Sequence, residues 1–133
     1  MTRTVSRTHL QMVRQFMEAF EQEINSLPTV SDHETRQLRY KLIEEELTEL
    51  WDALKNRDLV KIADALVDLE YVVLGGYLAF GLGDLHEKLF MEVQRSNMTK
   101  LGEDGKVHYN QLGKVLKGDN YSPPNLWKIL GME

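Results

Sequence analysis

Apolar residues recur at three- and four-residue spacing through the first two thirds of the chain, and that period predicts helices. From His9 to about Asn25 they fall at Leu10, Val13, Phe16, Met17, Phe20 and Ile24, before Ser26-Leu27-Pro28 ends the pattern. A second stripe, Leu38, Leu42, Ile43, Leu47, Leu50 and Leu54, runs to about Asn56. Ser31 with Glu34 three residues on has the form of a capping box, which puts the N-cap of this helix at Ser31. Asn56-Arg57-Asp58 reads as a turn, with Asp58 capping a third helix that reaches about Phe80. Gly81-Leu82-Gly83 interrupts it, and Asp84 is the candidate cap of a fourth helix through about Arg95.

The third helix is apolar around most of its circumference, at Ile62, Leu66, Leu69, Val72, Val73 and Leu78. Such a helix is buried on more than one side. Four helices in a short chain cover it only if a second copy supplies the missing wall, so a homodimer or dimer of dimers is expected. Gly75-Gly76 inside this helix would weaken it by about 1 kcal/mol each relative to alanine, and close packing is the plainest reason to keep them. From Ser96 onward the chain turns to loop chemistry, at Lys100-Leu101-Gly102, Gly113 to Gly118 and Tyr121 to Pro124, with one last helical turn over Asn125 to Leu130. The tail has no charge run or low complexity and is expected to be ordered. The pattern predicts an all-α fold, a four-helix bundle with an ordered C-terminal tail, as a single domain over residues 1–133.

Composition narrows the chemistry. A chain of 133 residues, 42% hydrophobic and 28% charged, is an ordinary globular mix. There is no cysteine, which removes disulfides, thiolate metal sites and cysteine nucleophiles together. No apolar run approaches a membrane span and no signal-peptide pattern opens the chain, so a cytoplasmic protein with no membrane partner is expected. The net charge of −5 argues against polymeric nucleic acid as a partner. A small anionic ligand held through a metal remains compatible, since the ion inverts the local sign.

Candidate chemistry lies on the second and third helices. Glu44, Glu45, Glu46 and Glu49 on one, and Asp64 and Asp68 on the other, repeat at spacings that share a helix face. Three consecutive glutamates are also what a solvated face looks like. Position separates the two readings: Glu46 and Asp68 fall beside leucines at the buried edge, where an unpaired carboxylate is costly. A hard divalent cation with oxygen ligands, Mg²⁺ above all, is the usual compensation.

Several spaced motifs then carry a resemblance. Arg39-x-x-Leu-Ile-x-Glu-Glu, Asp64-Ala-Leu-Val-Asp68-Leu-x-Tyr-Val-Val-x-Gly75, Ser96-Asn-Met-x-Lys100-Leu and Gly113-Lys-Val-Leu-Lys-Gly-x-x-Tyr-x-x-Pro124 occur in this order over roughly residues 10 to 130. Together they resemble the MazG-like and phosphoribosyl-ATP pyrophosphohydrolase branch of the all-α nucleotide pyrophosphohydrolases. The resemblance implies a MazG-like bundle that hydrolyses a nucleoside or deoxynucleoside triphosphate to the monophosphate and pyrophosphate, using metal-activated water. It implies Mg²⁺, with Mn²⁺ as a possible substitute, held by Glu45, Glu46, Glu49 and Asp68. Glu45 is either a further ligand or the base that orients the water. An acid is expected three residues before Asp68, where Ala65 stands, and Asp64 is the nearest replacement. Arg95, Asn97, Lys100, Lys114 and Lys117 are the implied substrate contacts. Arg39 is placed with them, or behind the acids as an orienting partner. Trp51 and Tyr71 can stack on a base or belong to the core.

Other classes compete. A phosphoribosyl-ATP hydrolase would use the same metal site, and a non-catalytic nucleotide-binding helical dimer is kept open by Ala65. A di-iron carboxylate bundle needs Glu-x-x-His pairs, and no glutamate here has a histidine three residues later.

Overall fold

The computed structural model describes residues 7–102 and 104–132. The fold is all-α, in the order α1 (His9–Ala19), α2 (His33–Lys55), α3 (Leu59–Ala79), a 3-10 turn at Gly83–Leu85, α4 (His86–Met98) and α5 (Leu126–Ile129). Among the described residues there is no strand, only an isolated bridge between Tyr109 and Val115. No single described helix is long and apolar enough to cross a membrane. The chain divides into two compact units between Asp84 and Leu85.

In the first unit, α3 packs on both α1 and α2. The core is Val13 and Met17 of α1 against Leu74, Leu78 and Ala79 of α3. The three helices end alike. Gln22, Asp58 and Leu82 donate their N–H groups to the carbonyls of Met17, Ala53 and Tyr77, and Glu21, Arg57 and Gly81 before them hold positive φ. This is the Schellman motif. Glycine is needed only at the third, where a Cβ on Gly81 would stand 1.8 Å from the Leu27 carbonyl oxygen.

These caps correct two expected boundaries. The first helix stops at Ala19 rather than near Asn25, because Glu21 takes the left-handed position that glycine usually marks. The freed segment lies along α3, with Asn25 N–H donating to Leu78 O at 3.0 Å and Thr29 N–H to Phe80 O at 2.9 Å. The cap of α2 is Asp32, whose side chain accepts from Thr35 N–H, and not Ser31. Ser31 has φ 63° and gives its hydroxyl to Glu23 instead. Asp58 caps α3 as expected.

Burial within one chain falls short of the periodic stripe. On α2 only Arg39 and Ala53 are buried, while Leu38, Leu47 and Leu54 are exposed. On α3 burial is concentrated in the second half, and Leu66 and Val67 are 51% and 60% exposed. The glycine pair also divides. A Cβ on Gly75 would meet the Arg39 guanidinium at 2.6 Å, whereas one on Gly76 meets nothing within 4 Å.

The second unit is built on α4. Its N-cap is Leu85, with no side-chain cap bond, and Asp84 sits in the 3-10 turn rather than capping the helix. The helix continues to Met98, so Asn97 lies in its last turn instead of following it. The tail is ordered by side-chain caps. Thr99 Oγ1 accepts from Ser122 N–H at 2.8 Å and donates to Ser96 O at 2.6 Å. Asn110 Oδ1 accepts from the Leu112 and Lys114 N–H groups, each at 2.9 Å, shaping the turn before Val115. Asn125 caps the short α5.

Candidate metal centre and its groove

Glu46 and Glu49 are three residues apart on α2 and so share a face. Asp68 projects from α3, and one carboxylate oxygen from each of the three lies within 4.8 Å of the others. The glutamate run resolves by position. Glu44 pairs with Lys41 at 3.2 Å, Glu45 is exposed, and Glu46 is half-buried toward α3. Burial first, then the charges of Glu49 and Asp68, push the Glu46 carboxyl above its ordinary range. Glu46 Oε2 is buried without a hydrogen-bond partner. A crowded set of carboxylate oxygens, one of them buried without a partner, matches what a hard divalent cation requires, so these three residues fit a metal. Glu45 and Asp64, both exposed, lie outside the group. Ala65 is 3% exposed, so an acid at that position would be buried within the unit.

Arg39 lies seven residues before Glu46 on α2, and Gly75 seven after Asp68 on α3. Seven residues are nearly two turns, about 10 Å along the axis. The two contacts therefore share one antiparallel register, with Glu46 against Asp68 at one rung and Arg39 over Gly75 at another. Leu42 and Val72 lie between them. A cavity of about 240 Å³ follows this groove, with Phe16 and Tyr71 in its lining. These two rings meet edge to face at 5.6 Å.

Arg39 is 4% exposed. Its terminal Nη2 donates to Gln22 Oε1 at 3.0 Å, while Nε is buried with no partner. Burial lowers the guanidinium pKa, and the charge of Glu23 opposes that. Arg39 is thus at the far end of the groove from the carboxylates and does not touch them. Gln22 carried no signal in the sequence. It is placed by the αL turn at Glu21, which directs the chain back toward α3.

In the second unit Arg95 is already engaged. It pairs with Glu92 and donates to Ser122 Oγ and Pro123 O, each at 3.1 Å. Asn97 is exposed and Lys100 half-buried. A Cβ on Gly118 would lie 3.3 Å from the Lys100 carbonyl oxygen, so the two lysine-bearing segments run together. Lys117 lies 4.7 Å from the centre of the Tyr121 ring, and Lys114 is exposed in the loop.

An all-α chain with carboxylates gathered between antiparallel helices is a candidate helical metal-carboxylate protein. The sequence model of the family described as phosphoribosyl-ATP pyrophosphohydrolase matches residues 13–97, and the chain belongs to that family, within the MazG-like superfamily. It is also 31% identical over 116 residues to the uncharacterized protein L479 of Acanthamoeba polyphaga mimivirus, covering 82% of this chain. The chain spans about half of that curated relative, 45% of its length.

Proposed function

We propose that this chain is a Mg²⁺-dependent pyrophosphohydrolase that converts a nucleoside or deoxynucleoside triphosphate to the monophosphate and pyrophosphate. The observation that carries the reading is the Glu46–Glu49–Asp68 group with its orphaned, buried Glu46 oxygen. These three residues would hold the ion, with Mn²⁺ as a substitute, and Glu45 and Asp64 would contribute from its solvent side. When bound, the ion offsets the charge of the triphosphate and lowers the pKa of a coordinated water. Glu45, exposed and next to Glu46 in the chain, would accept a proton from the attacking water. As the resemblance implies, Asn97, Lys100, Lys114 and Lys117 would supply donors and positive charge for the phosphates. Arg95 serves them by fastening the tail to α4.

The exposed Leu47, Trp51, Leu66 and Val67 on α2 and α3 support a homodimer or dimer of dimers that covers these faces. A monomer by light scattering at micromolar concentration would remove that part of the proposal. The family description favours a second substrate, phosphoribosyl-ATP, cleaved at the same kind of bond. The test is a panel of nucleoside and deoxynucleoside triphosphates, with phosphoribosyl-ATP, assayed with Mg²⁺ for pyrophosphate and orthophosphate. Pyrophosphate is expected; orthophosphate as sole product, or no turnover of any substrate, would sink the assignment.

A further inference from the structure

The Arg39 end of the groove holds a buried hydrogen-bond donor, Nε–H, with nothing to receive it. A guanidinium only donates, so the Gln22 amide oxygen is the atom that faces it. That leaves the amide nitrogen as the Gln22 group with hydrogens to give. Arg39 Nε–H is buried beside it without an acceptor, an arrangement that costs about 1–3 kcal/mol unless something completes it. The walls leading there are Val13, Phe16, Leu42, Tyr71 and Val72. Apolar and aromatic walls suit a flat heterocycle and penalise a phosphate, which would leave water for a single cation.

Resting on the reading above, we propose that this end of the groove is the nucleobase subsite. Arg39 and Gln22 there select bases that present a carbonyl, such as a 6-oxopurine or 4-oxopyrimidine. With the phosphates at the carboxylate rung, the two-turn offset of about 10 Å leaves room for the sugar and carries the base to Arg39. Gly75 is part of this device, since any side chain there would push the guanidinium out of its place. A base with an amino group at that edge sets donor against donor and leaves Nε unpaired. Sites built around buried polar groups reject such analogues strongly.

The test uses two substrate pairs that differ in carbonyl against amino, ITP against ATP and UTP against CTP, compared by kcat/KM with Mg²⁺. The carbonyl member is expected to lead by about tenfold or more in each pair. Gln22→Leu and Arg39→Lys are expected to shrink both ratios below about threefold, with the larger loss in kcat/KM falling on the carbonyl member of each pair. Should Arg39→Lys fail to fold, Gln22→Leu at the half-buried neighbouring position decides. Equal rates within the pairs overturn the inference but leave the pyrophosphohydrolase reading standing. So does a loss that is uniform across all four substrates, which is the mark of a phosphate anchor. If no triphosphate is hydrolysed, the functional reading fails by itself, and calorimetric binding of IMP against AMP still tests the subsite. Equal affinities there would overturn it.

Discussion

Along the α2–α3 groove, the rung at Glu46 and Asp68 crowds acceptors together, and the rung at Arg39 and Gly75 buries donors. Glu46 Oε2 lacks a donor and Arg39 Nε lacks an acceptor. A salt bridge between the two would satisfy both, yet their backbones are held about two turns apart, with Leu42 and Val72 between. Each end therefore remains open to something from outside: a cation at one, an acceptor at the other. Buried charges are costly when unpaired, and the rigid helix pair keeps both costs in place. The difference teaches that neither rung completes its own hydrogen bonding, and the proposed ion and base would each supply what one rung lacks.

The sharpest break of the comparison is at the acidic end. Glu49→Gln is expected to lower hydrolysis by more than about 100-fold, beyond the 10–100-fold typical of groups that only support metal ligands. Because Glu49 is exposed, the circular dichroism spectrum and melting temperature should stay close to wild type. Unchanged turnover would take Glu49 out of the site.

The basic end is probed by the glycine pair. Gly75→Ala puts a methyl against the Arg39 guanidinium, and overpacking of this kind costs about 1–3 kcal/mol. Gly76→Ala has open space within the chain and should be neutral or stabilising by up to about 1 kcal/mol from helix propensity. Urea melts of the two variants measure the contrast. Equal effects would mean that Arg39 does not depend on the absence of a side chain at residue 75.

The smallest effect concerns pH in the absence of metal. Glu46 has its folded pKa raised, by burial and then by its acidic neighbours. The folded state then holds this proton more tightly than the unfolded chain, so stability falls as pH rises through the folded pKa. Glu46→Gln removes that penalty. It should stabilise the metal-free protein at pH 7 by about 1 kcal/mol, the low end of the cost of an unsatisfied buried group. The gain should vanish below about pH 4, near the unfolded glutamate value. Melting curves in chelator across this range would refute the idea if the variant were less stable at neutral pH.

Part of the site was legible because its rules are local. The i, i+3 spacing of Glu46 and Glu49, and the position of Asp68 at an apolar edge, follow from the helical period alone. Asp58 as a cap and Gly81 as a terminator were readable for the same reason. Ser31 misled because Asp32, its neighbour, is an equally good cap, and only the αL turn at Ser31 selects between them. The end of α1 was hidden because Glu21, not glycine, takes the left-handed position. Arg39 was read as a substrate contact or an orienting partner of the acids, but its place about two turns from them beside Gly75 was not readable, and Gln22, its hydrogen-bond partner, carried no signal.

From sequence alone came the helices, the acidic faces and the family motifs, since periodicity and capping depend on residues within a turn or two of each other. Tertiary structure decided the register of α2 against α3. That register puts Glu46 across from Asp68, seats Arg39 on Gly75 rather than Gly76, and brings Gln22 back from beyond α1. Which side chains meet across two helices depends on how their surfaces interlock, and no pattern within either helix contains that information.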